Sequence, residues 1–194
     1  MSALSILIIR HAEKPNESWP GPGLTDQGVV NDKSLVIRGW QRAGSWSALF
    51  GAGLGGADFP QPAVIYAADP NSSAGDDPSQ RPFETITPLA ARLSLTPITK
   101  YALGDEAQLV AEIVGLTGCV LVCWEHKAIA SSKVAKPILP LIANGQVIPA
   151  MPKKWDGARF DVALRFDRAV HDAQWSFRQL FPRLLSGDSN VPMK

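Results

Sequence analysis

The sequence predicts a single α/β domain over residues 1–194, a three-layer arrangement in which a largely parallel sheet carries helices on both faces. Three observations lead there. Short apolar runs at Ser5–Ile9, Pro62–Ala68 and Cys119–Trp124 have the length and bounds of strands buried on both faces. Helical patterns lie between them. Each run also leads to a basic or imidazole side chain: Arg10 and His11, then Arg81 beyond a loop, then His126. In open α/β sheets the ligand crevice lies beyond the carboxyl ends of the strands, so these groups suit a site for an anionic substrate. One Arg-His pair alone would be the first polar residues after a core strand; three such strand ends in order carry the reading.

Taken in order, the first run stops at Arg10-His11 and passes into the polar segment Ala12-Glu13-Lys14-Pro15. Asn16 to Lys33 is rich in Pro, Gly, Asp and Asn and reads as a surface loop with its own turns. A helix follows to near Phe50, with Trp40, Ala43, Gly44 and Ala48 on one face. Gly51 to Gly56 ends it, and these glycines lack the Lys-Ser/Thr that closes a phosphate loop. Residues 69–80 form a long polar loop, readable as a lid or as a plain surface insertion. Pro82 suits the first turn of a helix through Thr85 and Leu89 to Leu93, which Pro88 is expected to kink or divide. Leu95 to Tyr101 reads as a further short strand. Asp105 and Gln108 have the spacing of a capping box, ahead of a helix presenting Leu109, Val110, Ile113 and Val114 to the core. Beyond His126, Ile129 to Ala143 looks helical with breaks at Pro137 and Pro140. Arg159–Asp167 and Gln174–Phe181 alternate or are rich in aromatics and should pair as an antiparallel edge, with His171 exposed in their connection. Gly187 to Lys194 is expected to fray.

Composition narrows the classes of function. An apolar content of 45% with 19% charged residues is that of an ordinary globular chain. A formal net charge of +1 argues against a nucleic-acid or membrane partner bound through a broad basic surface. No apolar stretch is long enough to span a bilayer. A first segment without a basic region is not expected to be a cleaved signal peptide. Cys119 and Cys123 lie on one strand, about 13 Å apart at strand rise, too far to pair with each other. Two packed thiols point to a cytoplasmic location.

The motifs Arg10-His11-Ala12, Arg81 with Thr85 one turn on, and His126 resemble, in order and spacing, those of the histidine phosphatase superfamily, the phosphoglycerate-mutase-like proteins. The resemblance covers roughly the first two thirds of the chain. It implies hydrolysis of a small phosphorylated substrate through a phosphohistidine on His11, with no cofactor. Arg10 and Arg81 would clamp the phosphoryl group, because a guanidinium binds two phosphate oxygens at once and stays charged. His126 would donate to the oxygens on which charge develops. The family's general acid has no fixed position, and here Glu106 is preferred over Glu125. Alternate strand residues face opposite ways, so Glu125 joins His126 in one pocket only if the strand breaks between them. Glu13 is expected to orient the loop with Lys14. A metal site is not expected, since the spaced His or paired Cys motifs are absent and two arginines would repel a cation. Two departures stand out: Ala12 replaces the common Gly, and Lys127 adds positive charge after His126. The alternative reading is a non-catalytic module that binds phosphate or a phosphorylated ligand, and a phosphomutase is a third. The oligomeric state is left open.

Overall fold

The first apolar run becomes β1 (Leu4–Arg10), and its alternation places side chains on both faces of a sheet. In the computed structural model, which describes residues 3–72, 79–169 and 174–194, Leu4, Ile6 and Ile8 enter one apolar cluster while Leu7 and Ile9 enter another. All five are fully buried, each contributing roughly 1.5–3 kcal/mol of transfer free energy.

β1 is the central strand of five, in the order β2-β3-β1-β4-β5. β2 (Val64–Ala67) and β3 (Gly118–Trp124) run parallel to it. β4 (Ala163–Arg168) pairs antiparallel with β1, and β5 (Ser176–Leu180) antiparallel with β4. The sheet is therefore mixed, with its parallel half carrying the three strand ends of interest. α1 (Ile37–Gly51) and α2 (Arg81–Leu93) supply Trp46, Phe50, Ile86, Leu89 and Ala90 to the Leu7/Ile9 cluster. α3 (Glu106–Ile113), the single turn α4 (His126–Ile129) and α5 (Ile138–Ala143) supply Leu109, Ile129 and Ile142 to the other.

Several expectations are corrected. The buried stripe of α1 is Gly39, Arg42, Ala43, Trp46, Ser47 and Phe50, because its two large aromatics take the core and leave Gly44 exposed. Pro88 neither ends nor divides α2; its carbonyl instead accepts from Ser47 Oγ on α1 at 3.0 Å. Leu95 to Tyr101 joins the sheet only through the bridge from Ile98 to Tyr66, in which Ile98 N donates to the Ile65 carbonyl and Ala67 N to that of Ile98. The capping box before α3 does not form: Asp105 Oδ2 accepts from Ala102 N, and Glu106 takes the Gly104 N–H. Between Ile129 and Ala143 only α4 and α5 are helical. The carboxyl-terminal residues are docked rather than frayed. Gln179 exchanges two hydrogen bonds with the Met193 backbone, Ser189 N donates to Asp161, and Met193 is buried. His171 and residues 73–78 of the 69–80 loop lie outside the described residues. Among the described residues no helix is long and apolar enough to cross a membrane.

Candidate active site

Register brings the strand ends together. Arg10 pairs with Trp124 across β1 and β3, and His11 N extends the ladder to the Trp124 carbonyl at 3.1 Å. The next residues on β3's side are Glu125 and His126. There the strand breaks, because Glu125 caps α4: its Oε2 accepts from the N–H groups of Lys127 and Ala128. The condition under which Glu125 and His126 share one place is thereby met. Glu125 Oε1 lies 2.6 Å from His126 Nδ1, an ion-pair distance without the alignment of a hydrogen bond.

α2 arrives through Thr85. Its hydroxyl accepts from Ala12 N at 2.8 Å and donates to the Arg81 carbonyl at 2.7 Å, fixing the start of the helix against the residue after His11. The Arg81 guanidinium donates from Nε to the Ser34 carbonyl at 3.3 Å and from Nη2 to that of Asp32. Glu84 holds the same loop, accepting from Ser34 Oγ and Leu35 N.

His11 is 4% exposed, and its Nδ1 sits 2.7 Å from the Ala12 carbonyl oxygen. A carbonyl only accepts, so Nδ1 carries the proton and Nε2 carries the lone pair of the neutral ring. Burial, then the Arg10 charge, hold this imidazole well below the usual histidine range, and Arg81 and His126 act in the same sense. His11 is thus a neutral imidazole near pH 7.

Arg10 is 2% exposed. Its guanidinium lies 3.8 Å over the Phe160 ring, and Nη1 donates to the carbonyls of Gly157 and Arg159 at 2.7 and 3.2 Å. Its Nε is buried without a partner. Burial lowers its pKa to about 10 against the opposing charges of Glu125, Glu13 and Asp156, and it remains a cation at neutral pH. Arg81 is shifted the same way, burial again coming first. Burial raises the pKa of Glu125, but the pairing with His126 and the two capping N–H groups outweigh it and the carboxylate stays below its ordinary range.

The structure therefore brings Arg10, His11, Arg81, His126 and Glu125 to one sheet edge. Glu106 is placed differently. It is 3% exposed, Oε1 accepts from Trp124 Nε1 at 2.9 Å, and both oxygens take the Gly104 N–H at 3.1 Å. Glu13 is corrected too: it binds Arg42 through Nε and Nη2 at 2.8–3.0 Å and faces Arg38, rather than acting with Lys14.

Sequence reasoning missed the segment Asp156–Phe160. Gly157 meets Arg10 through its carbonyl, and a Cβ on it would stand 3.9 Å from His126 Nε2. Phe160 also approaches His11 edge-on at 6.0 Å between ring centroids. Asp156-Gly157 is visible in the sequence as a turn, but no local pattern ties that turn to β1. Among the described residues no group of three or more His, Cys, Asp or Glu side chains is arranged to hold a metal ion.

No family model matches the chain, and no curated protein matches it. Its structural neighbours include "Mycobacterial hydrolase 2", at 14% identity and TM-score 0.45, with 92% of this chain and 90% of that one covered. They also include the protein histidine phosphatase SixA complexed with tungstate, at 14% identity and TM-score 0.47, with 92% and 97% covered.

Proposed function

We propose that the protein is a phosphomonoester hydrolase that works through a phosphohistidine on His11. The observation that carries this reading is the contact of the buried His11 ring, Nδ1 at 2.7 Å from the Ala12 carbonyl oxygen. With Nδ1–H held by the Ala12 carbonyl, the Nε2 lone pair stands ready at neutral pH in a site ringed by cations. A phosphate monoester brings two negative charges, and its transfer demands positioning and charge neutralisation. Arg10 and Arg81 neutralise the phosphoryl oxygens. Nε2 attacks phosphorus in line, the P–O bond to the alcohol breaks, and the departing oxygen takes a proton. Water then attacks the phosphohistidine, releasing inorganic phosphate and restoring the imidazole.

The proton comes from His126 as the imidazolium: it leaves Nε2 for the departing oxygen, and the attacking water later returns one to Nε2. Glu125, ionised and anchored by two backbone N–H groups, faces Nδ1–H throughout. Glu106 is left out of the chemistry, since both of its oxygens are committed to Gly104 and Trp124. No step calls for a metal ion.

The test is turnover of nitrophenyl phosphate in excess chelator by wild type, His11→Ala and Arg81→Lys. Wild type is expected to turn over and His11→Ala to be inactive. Arg81→Lys should lose about a hundredfold or more, because a lysine cannot reproduce the two-oxygen fork. Phosphate binding without turnover in the wild type would favour the non-catalytic binding module instead.

A further inference from the structure

We propose that Glu84 is a positioning residue for Arg81, acting through the Ser34–Leu35 segment to aim the guanidinium at the phosphoryl group. The inference rests on the phosphatase reading and adds to it a residue that acts on the substrate only through another side chain.

Helix α2 fixes the Arg81 backbone but leaves its long side chain many directions. Two carbonyls choose among them: Nε donates to Ser34 at 3.3 Å and Nη2 to Asp32. The Nη1 side of the fork is left for a ligand. Both carbonyls belong to one turn, in which Ser34 N donates to the Asn31 carbonyl at 2.9 Å. Glu84 ties that turn back to α2, one helical turn beyond Arg81 and on the same face. Its Oε1 accepts from Ser34 Oγ at 2.6 Å and its Oε2 from Leu35 N at 2.9 Å. The contacts close a ring: Ser34 gives its carbonyl to Arg81 and its hydroxyl to Glu84.

Ser34 and Leu35 are fully buried, and Glu84 is 8% exposed. Without the carboxylate, the Ser34 hydroxyl and the Leu35 N–H would be buried and unpaired, which costs more than the bonds contribute. The segment would shift to recover partners, and the Ser34 carbonyl would shift with it. Leu24 N holds the Leu35 carbonyl at 2.8 Å, so the expected change is local. Glu84 also offsets the burial of the Arg81 charge, ahead of Asp32. Position and charge are separable with Glu84→Gln. The amide keeps an acceptor for Leu35 N and offers an N–H to Ser34 Oγ, but carries no charge.

The test is a double-mutant cycle between Glu84 and Arg81. It is read in the affinity for inorganic phosphate, by calorimetry, and in kcat/KM for nitrophenyl phosphate. Glu84→Leu alone should lower both by about tenfold or more, since a small misplacement of a clamp is that costly. In the Arg81→Lys background there is no guanidinium to aim, and the same substitution should change them by less than about twofold. Glu84→Gln should keep most of the wild-type affinity. Ser34→Ala removes one of the two bonds and should show a smaller loss with the same dependence on Arg81. It carries the cycle if Glu84→Leu proves unfolded in a thermal melt. An equal loss in both backgrounds would make Glu84 a structural anchor and overturn the proposal. So would native values in Glu84→Leu, or a loss in Glu84→Gln as large as that in Glu84→Leu. If no ester is hydrolysed, the phosphatase reading has failed, and the phosphate affinities still decide the part played by Glu84. Wild type that binds no phosphate would overturn the proposal outright.

Discussion

At the scale of single residues, the assignment turns on which nitrogen of His11 carries the proton and which carboxylate faces His126. His11 has its proton on the buried side and its lone pair on the other, so it needs no general base to become a nucleophile. The same burial has a cost in acid. An unfolded histidine takes up a proton near pH 6.5, whereas the folded His11 stays neutral well below it. The unfolded chain therefore binds more protons as pH falls below about 6.5, and stability falls with it. His11→Gln removes the group from both states, so its denaturant midpoint should decline less between about pH 7 and pH 5 than that of the wild type. An identical decline would mean that His11 titrates normally in the fold. Glu125 and Glu106 separate by leaving group. Protonation of the departing oxygen matters for an alkyl phosphate and little for nitrophenyl phosphate. Glu125→Gln should slow alkyl phosphate hydrolysis on the order of a hundredfold more than nitrophenyl phosphate hydrolysis. Glu106→Gln should leave the ratio of the two rates near that of wild type, and a selective loss there would return the acid to Glu106.

At the scale of elements, the site is held by three contacts between segments: the β1–β3 register, Thr85 reaching Ala12, and α1 lying against the segment after His11. The last of these depends on a glycine. A Cβ at Gly39 would fall 2.5 Å from the Glu13 carbonyl oxygen, a backbone atom that cannot swing aside. Gly39→Ala should therefore cost about 1–3 kcal/mol in stability and shift the His11 loop, lowering activity, as thermal unfolding and kcat/KM would report. Native values for both would show that α1 is free to move. The parallel strands and their terminal Arg and His residues were legible in the sequence because an apolar run ending abruptly in charge is a local pattern. The break at Glu125 was posed there as a condition and not decided. It rests on a carboxylate capping one turn of helix, a choice made by three adjacent residues. The segment Asp156–Phe160 was not legible, because a turn carries no record of which strand it folds over.

At the scale of the whole molecule, the carboxyl terminus is tied to the site's far side through Arg42. That guanidinium, 2% exposed, binds Glu13 with one edge and Asp188 with the other at 2.8–3.0 Å. A pairing across 146 residues has no signature in local periodicity, which is why the tail looked loose in sequence and Arg42 passed for an ordinary helix residue. Removing one partner of a buried ion pair leaves a charge uncompensated, at a cost of about 3–5 kcal/mol. Arg42→Met should therefore lower the denaturant midpoint and also weaken phosphate binding, since Glu13 lies two residues from His11. A loss of stability with unaltered phosphate affinity would confine Arg42 to a structural part.

The central claim is covalent, and one measurement meets it directly. Wild type and His11→Ala are mixed with labelled phosphate monoester, quenched within milliseconds under alkaline conditions that preserve phosphohistidine, digested and mapped. The expected result is label on the peptide that contains His11 in the wild type, chased by unlabelled substrate, and none in His11→Ala. Turnover without labelled protein, or label that persists when His11 is replaced, would contradict it.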